Sequence, residues 1–534
     1  MAAPQPPLLH EVIAQRARAT PDLPILTVES GGARGAEVRS YRELWDNGRR
    51  LAAALLARGL GRGEHFGLLM ANHPEFVEAM IAASLTATVF VPIDARTRGE
   101  KLVFMLEHAE CRGVIAADYS LAALAEVRAS LPRLRWVIGV ESGEGAPPIE
   151  SFAGVVSYAA ALPEVAPDIT VPPPASEAPM QLLFTSGTTG DPKGIMLQHG
   201  RWMANAFLVP QLCGWQKDER PYSGLSLTHA NAQVLTLGAS LVNGYPCVLS
   251  RRFTKSRLWD ITRAHGCTTF NLLGGMTTAI YSEPRRANDA DNPVRFVLSA
   301  GMPAAIWEDF ERRFGVKLLE FYGAAEGGMT FKPVGTGPIG SIGKPIPLLI
   351  HKIVDDEGKE VPRGEPGELL FRWADGTPIT IEYFRNPEAS ARKCAGGWLH
   401  MGDIVREDAD GWLFFLARKG GGIRRNGEFI NTGFLEKVIA EFDGVDDVYV
   451  YGVPARSGAP GEKDVVAAVV PVNASGFDPA ALEGHCRSKL EPGMVPSYIQ
   501  VLEAIPKTAS EKPQDRFLME RFNQDRERIY QTGA

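Results

Sequence analysis

Apolar and polar positions follow two rhythms along this chain. Tyr41, Leu44, Gly48, Leu51 and Leu55 recur every three or four residues, with Arg and Asp between them. That spacing predicts an amphipathic helix ending near Gly59. Residues 66–70, 88–93 and 113–116 are short apolar runs of the kind that form buried strands. Between them, residues 75–86, with Pro74 at the first turn, and residues 101–108 have helical patterning. Such alternation predicts parallel β-α units with both faces of the sheet covered. After a Pro-rich loop over 163–178, the pattern returns as strand 247–250, helix 256–265, strand 296–299, helix 303–314 and strand 317–321.

The texture changes near residue 339. Gly340 to Gly343, Val361 to Gly367 and Ala409 to Gly411 are turn signals between short apolar runs, which predicts a small, mostly β region. Gly420, Gly421 and Gly422 follow Arg418 and Lys419. Beyond them come a helix over 434–442, strands over 448–452 and 465–470, and a helix over 479–490, a set large enough for its own core. The expected fold is α/β: a large N-terminal domain (1–419) of β-α layers plus a small β region, and a smaller mobile α+β C-terminal domain (420–534), hinged at the glycines.

Length and composition narrow the function. The 534 residues, 45% hydrophobic and 22% charged, suit a globular protein of several domains. A net charge of −7 without a basic patch excludes nucleic acid as an expected partner. The six cysteines contain no C-x-x-C pair, which argues against a zinc knuckle or disulfide framework and suits a reducing compartment. The N-terminus lacks a signal-peptide pattern, and no apolar run approaches the ~20 residues of a membrane helix, so the expected location is cytoplasmic. Oligomeric state is left open, a homodimer included.

The candidate chemistry centres on residues 185–194. An apolar run over 180–184 leads into Thr185, Ser186, Gly187, Thr188, Thr189, Gly190, Asp191, Pro192, Lys193 and Gly194. Glycine lets the main chain approach a ligand closely. The hydroxyls, N–H groups and Lys193 can together surround phosphate oxygens. A flexible linker seldom pairs a preceding strand with a lysine inside the loop. The G-x-x-x-x-G-K-[ST] phosphate loop is excluded, because Gly194 stands where its Mg²⁺-binding hydroxyl would follow the lysine.

Five motifs in order then make the chain resemble the adenylate-forming superfamily of acyl-CoA synthetases, peptide-synthetase adenylation domains and firefly luciferase. They are residues 185–194; Phe321-Tyr-Gly-Ala-Ala-Glu326; Gly397-Trp-Leu-His-Met-Gly-Asp403; Arg418 to Glu436; and Pro506-Lys-Thr-Ala-Ser-Glu-Lys512. Within the superfamily the chain looks most like ligases of the crotonobetaine/carnitine type. The resemblance runs from about Leu8 to Arg521 and implies a two-step reaction. A carboxylate attacks the α-phosphorus of ATP to give an acyl-adenylate and pyrophosphate; the thiol of CoA then displaces AMP.

The resemblance also implies roles. Thr185, Ser186, Gly187, Thr188, Thr189, Gly190 and Lys193 would hold the departing phosphates, with Glu326 and Thr185 at Mg²⁺. Tyr322 and Gly323, with Ala325 beside them, would form one side of the adenine pocket, and Ala300, Gly301 and Met302 the other. Asp403 would take the ribose hydroxyls, assisted by Arg418. Lys512 would bridge the substrate carboxylate and the α-phosphate. Gly427 would let the pantetheine arm of CoA pass. His229 would neighbour the carboxylate and gate the thiol tunnel, with Asn231 and Gln233 reaching the acyl pocket.

Four positions depart from the family pattern: Ala325 for Thr, Glu511 for Gly, Ala417 for Asp, and Gly420 for Asp or Lys. With Ala325 in place of the family's Thr, a hydroxyl near the α-phosphate is missing, and a hydrogen bond to a charged group is worth ~1.5–3 kcal/mol, so adenylation is expected to slow unless another group or water substitutes. Glu511 is expected to raise the pKa of Lys512 or compete with substrate. Gly274, Gly275, Ala300, Ala324 and Gly327 suggest room for a ring or branched acid. Transfer to a separate carrier protein, and a non-catalytic nucleotide binder, stay open as alternatives.

Overall fold

A computed structural model describes residues 7–29, 35–185, 192–419, 423–425, 428–430, 432–456, 463–490, 492–508 and 511–533. The chain forms two compact units: Met1–Asn271 with Ile381–Ala389, and Leu272–Thr380 with Ser390–Ala534.

The first unit carries the predicted β-α alternation. Its strands are β1 (His65–Leu69), β2 (Val89–Ile93), β3 (Gly113–Ala117), β4 (Trp136–Val140), β5 (Val155–Ser157), β6 (Pro179–Thr185) and β7 (Lys193–Gln198), in the spatial order β5-β4-β3-β1-β2-β6-β7. All neighbours but the last pair are parallel. Parallel strands need crossovers, and helices such as Pro74–Thr86 and Gly99–His108 supply them. β1, β2 and β3 are buried along their whole length, hence their continuous apolar runs. Helix α1 (His199–Cys213) follows β7. A second sheet portion pairs Pro24–Glu29 in parallel with Cys247–Ser250 and antiparallel with Ala36–Ser40. The sequence pattern differs from this fold in one place that matters. The element after the phosphate loop is an antiparallel strand, β7, before the alternation resumes.

The second unit begins with α2 (Gly274–Tyr281) and continues through β8 (Phe296–Ala300), β9 (Lys317–Ala324) and β10 (Gly327–Lys332). β8 and β9 are parallel, and β10 returns antiparallel. The expected β region is a four-stranded antiparallel sheet of β11 (Leu349–Val354), β12 (Gly367–Trp373), β13 (Leu399–Glu407) and β14 (Leu413–Arg418). Then come α3 (Thr432–Ala440), β15 (Val445–Pro454), β16 (Lys463–Pro471), α4 (Pro479–Lys489), β17 (Tyr498–Val501) and α5 (Asp515–Gln524). Leu435, Val438, Ile439, Val465, Val469 and Leu482 form a core of their own there, as the α+β reading expects. Among the described residues, no helix is long and apolar enough to cross a membrane.

Candidate active site

Strand register assembles the second unit's polar cluster. Asp403 on β13 and Arg418 on β14 are cross-strand partners, and the guanidinium Nε lies 3.0 Å from Asp403 Oδ1. The Tyr322 hydroxyl, from β9, donates to Asp403 Oδ2. Asp403 is 2% exposed. Burial pushes its carboxyl above the usual range, and Arg418 and the Tyr322 hydroxyl pull it back. Burial and the neighbouring carboxylate hold the Tyr322 phenol protonated well above its ordinary value. Oδ1 is buried and faces Arg418 without meeting hydrogen-bond geometry, which leaves a lone pair for another donor. A nucleotide hydroxyl is a donor of the kind that oxygen can accept.

Tyr322 lies within β9, paired with Thr330. Ala324 pairs with Gly327, so Ala325 and Glu326 are the two turn residues of a tight hairpin. A hairpin tip projects a short side chain from a rigid support, and Glu326 occupies it. At the base, Gly328 takes φ +70°, where an added Cβ would lie 2.5 Å from Phe371. That close approach packs the hairpin against β12. Among the described residues, no cluster of three metal-ligating side chains occurs. Mg²⁺ commonly uses one or two carboxylates plus substrate phosphates, so the single carboxylate of Glu326 fits it.

Ala300 ends β8, and Gly301 and Met302 follow it. Glu320, one pair away across β8 and β9, turns back on them: the Gly301 N–H donates to Glu320 Oε1 at 2.5 Å, and the Met302 N–H to both carboxylate oxygens at 3.3 Å. Nothing in the sequence singled out Glu320. Its signal was a lone carboxylate inside an otherwise apolar strand.

Lys512 is carried on a hairpin-like turn. The Thr508 N–H donates to Lys512 O at 2.8 Å, the Lys512 N–H to Thr508 Oγ1 at 3.2 Å, and the Gln514 N–H to Pro506 O at 2.9 Å. The Lys507 ammonium anchors the turn to Asp447 at 2.5 Å. Desolvation and the Arg418 charge push the Lys512 ammonium below its ordinary value, while Asp403 and Glu326 pull it up. Lys512 therefore shares its electrostatic environment with the groups expected to meet the nucleotide. The residue still presents surface to solvent. The expectation that Glu511 raises this pKa is corrected: the net displacement is downward, and the largest influences are burial and Arg418. Glu511 itself sits at φ +57°, a region that favours glycine.

Two of the small residues expected to make room for the acid also allow close backbone approach. A Cβ on Gly274 would lie 3.0 Å from Gly301 O, and one on Gly275 would lie 3.0 Å from Glu511 O. The absent side chains let α2 approach the loop after β8 and the lysine turn.

In the first unit, Thr185 and Lys193 face each other across β6 and β7, and the Thr185 hydroxyl donates to Lys193 O at 3.3 Å. The Lys193 ammonium lies 5.4 Å from the centre of the Tyr383 ring. The loop is thus held by a strand pair rather than by a strand and a helix. Gly194 is required for this, since a Cβ there would lie 2.5 Å from Leu182. Ser186, Gly187, Thr188, Thr189 and Gly190 lie outside the described residues, as do Gly420 and Gly427.

His229 precedes a π-helical stretch, Ala232–Gly238. Such stretches are rare and collect at functional sites. The Asn231 N–H donates to His229 Nδ1 at 3.2 Å, which directs a neutral ring's proton to Nε2. Asn231 accepts from the Asn271 amide, and Asn271 accepts from the Thr236 hydroxyl at 3.1 Å. The Gln233 amide donates to Leu227 O at 2.6 Å. Asn231 and Gln233 are both buried and tie the turn around His229 together.

Comparisons with known proteins agree with this layout. The AMP-binding enzyme family matches residues 13–377, and the AMP-binding enzyme C-terminal domain matches residues 435–512. A medium/long-chain-fatty-acid–CoA ligase (FadD17) of Mycobacterium marinum is 30% identical over 89% of this chain and 90% of its own length. A crotonobetaine/carnitine–CoA ligase of Escherichia coli is 26% identical over 89% of this chain and 91% of its own. The crystal structure of an anthranilate CoA ligase with anthranoyl-AMP has the same fold, with a TM-score of 0.84 over 98% of this chain and 99% of that one at 22% identity.

Proposed function

The chain belongs to the AMP-binding enzyme family, and from that premise we propose how its residues carry out ATP-dependent acid:CoA ligation. A carboxylate oxygen attacks the α-phosphorus, the bond to the β-phosphate breaks, and pyrophosphate leaves. The CoA thiol then attacks the acyl carbon, loses its proton, and expels AMP.

One observation carries the reading: Arg418, Asp403 and Glu326 all act electrostatically on Lys512, and a lone pair is left on Asp403. Asp403 receives a ribose hydroxyl, and the Tyr322 ring flanks the adenine. Phosphoryl transfer depends on positioned positive charge. Lys512 supplies it where the substrate carboxylate meets the α-phosphate. Thr185, Lys193 and the loop between them take the departing pyrophosphate. Glu326 would hold Mg²⁺, which would supply charge neutralisation. His229, with its proton on Nε2, lies beside the acid.

A domain boundary at 419/420, with a hinge at Gly420, is the conformational part of the proposal. Lys512 serves the first step only, and the segment around Gly427 takes its turn with the pantetheine arm. The proposed partners are a small carboxylic acid and CoA, and the proposed location is the cytoplasm.

Relatives named for fatty acids, carnitine and anthranilate show how far substrates diverge on this fold. The test is a panel of acids with ATP and Mg²⁺, offered either CoA or a phosphopantetheinyl carrier, read as AMP release. AMP release with CoA supports the proposal. Release only with the carrier moves the acceptor, and no release with any acid rejects the ligase reading.

A further inference from the structure

We propose that Asn72 is a positioning residue for His229: its buried amide ties the turn that carries His229 to the carboxyl ends of three strands. The inference rests on the placement of His229 beside the acid and adds a residue that this placement lacked.

Asn72 stands three residues after β1, just before helix Pro74–Thr86, and is 0% exposed. Both its donors and its acceptor are engaged. The side-chain amide donates to Leu225 O at 2.8 Å and to Ser250 O at 2.7 Å, and Oδ1 accepts the Leu227 N–H at 2.8 Å. Leu225 and Leu227 lie just beyond strand Pro221–Ser223, and Ser250 ends strand Cys247–Ser250, which runs parallel beside it. One side chain thus joins the ends of three strands drawn from two different sheets. In parallel α/β folds, ligands bind outside the carboxyl ends of the strands. The chemistry requires an amide: aspartate has no donor for the two carbonyls, and leucine offers neither donor nor acceptor.

Gln233 takes Leu227 from the other side. Its amide donates to Leu227 O at 2.6 Å, while its own Oε1 is buried without a hydrogen bond. An unused buried acceptor is costly, and the bond to Leu227 offsets it. The two peptide planes that flank the Leu227 Cα are therefore both held, one by its N–H and the other by its C=O. Peptide planes are rigid, so holding both fixes φ and ψ at Leu227. The turn to His229 continues from there. The His229 N–H donates to Ser226 O at 3.0 Å, and the Gln233 N–H donates to His229 O at 3.2 Å. With the Asn231 N–H on Nδ1, both the backbone and the ring of His229 are fixed relative to Leu227. Those bonds shape the turn locally; Asn72 ties it to the strand ends. Without that tie the turn keeps its own bonds but no longer holds His229 in one place.

The test is a double-mutant cycle in the intact protein: wild type, Asn72→Asp, His229→Ala and the double variant, with circular dichroism confirming each fold. For each, the KM for an acid that the wild type accepts, the rate of thioester formation from supplied acyl-adenylate, and the affinity for ATP are measured. Asn72→Asp is expected to raise the KM for the acid about tenfold or more and to slow thioester formation, with ATP affinity within about twofold. In the His229→Ala background the same change is expected to add less than about twofold, because its effect passes through the missing imidazole. A folded Asn72→Asp with unchanged acid KM and thioester rate overturns the proposal alone. So does a loss of the same factor with and without His229, which is what a purely structural residue would give. A His229→Ala variant that behaves as wild type overturns the placement of His229, and this inference with it. If Asn72→Asp does not fold, Gln233→Met decides in the same cycle, since it releases only the Leu227 carbonyl: an unchanged acid KM, or a loss that does not depend on His229, overturns the proposal.

Discussion

Gly275→Ala is the perturbation that most sharply tests the placement of the lysine turn. The added Cβ would lie 3.0 Å from the carbonyl oxygen of Glu511, with no other heavy atom within 4 Å. Ordinary contact begins near 3.4 Å, so the turn must retreat by a few tenths of an ångström. The next residue is Lys512. A displacement of 1 Å at a reacting group costs about 100-fold, so a retreat of this size costs roughly 3- to 10-fold, or about 0.7–1.4 kcal/mol in the barrier. Only the step that uses Lys512 is affected. Gly275 lies in the first turn of α2, where Ala gains less than the ~1 kcal/mol that it gains over Gly in a helix interior, so thermal stability changes little. The assay is single-turnover adenylation beside thioester formation from supplied acyl-adenylate. Adenylation is expected to slow by that factor, with thioester formation within about twofold and the KM for the acid unchanged. A raised KM for the acid at unchanged kcat would refute the reasoning, since the Cβ would then be meeting substrate. Equal loss in both steps would refute it as well.

Three further outcomes follow from the same geometry. Glu511→Gly relieves a left-handed residue of about 1–2 kcal/mol of strain and loses about 0.4–1 kcal/mol through a freer unfolded chain; urea unfolding should show a net gain of roughly 0.5–1 kcal/mol, and a loss would mean that Glu511 does not adopt φ +57°. Glu436 is half-buried, accepts the Val450 N–H at 3.0 Å, and is pushed up to about 8 from an ordinary 4.5 by desolvation, with Asp447 and Asp515 adding to it. The folded state therefore binds this proton more tightly than the unfolded chain. Stability is full below about pH 4.5 and declines through about pH 8, by an amount on the order of a few kcal/mol. Glu436→Gln should be more favourable relative to wild type at pH 8 than at pH 5, and a difference that does not vary with pH would contradict the assignment. Gly420→Pro should impair the alternation between the two half-reactions, and unchanged rates for both would remove the hinge.

The site was legible where side-chain chemistry sits at fixed spacing in a motif. Tyr322, Glu326, Asp403, Arg418 and Lys512 lie in four separate motifs, and the structure brings them into one electrostatic environment. The β-α alternation was equally legible, because strands buried on both faces read as unbroken apolar runs. What escaped had no such signature. β7 is short and follows the loop directly, so its pairing with β6 depends on a chain reversal that period counting does not register. The π-helical turns over Ala232–Gly238 follow neither the helical nor the strand period. Glu320 was hidden because its partners are main-chain N–H groups nineteen and eighteen residues earlier, which no side-chain pattern records. Gly274 and Gly275 were legible as small residues, but the backbone approach that they permit was not.

The most direct measurement is acid-dependent exchange of pyrophosphate into ATP, with Mg²⁺ and an acid that the wild type accepts. It is run on wild type and Lys512→Ala in parallel with thioester formation from the matching acyl-adenylate and CoA. The account predicts exchange by the wild type, its near-abolition in Lys512→Ala, and thioester formation largely intact in both. Equal loss of the two half-reactions in Lys512→Ala, or no acid-dependent exchange by the wild type, would contradict it.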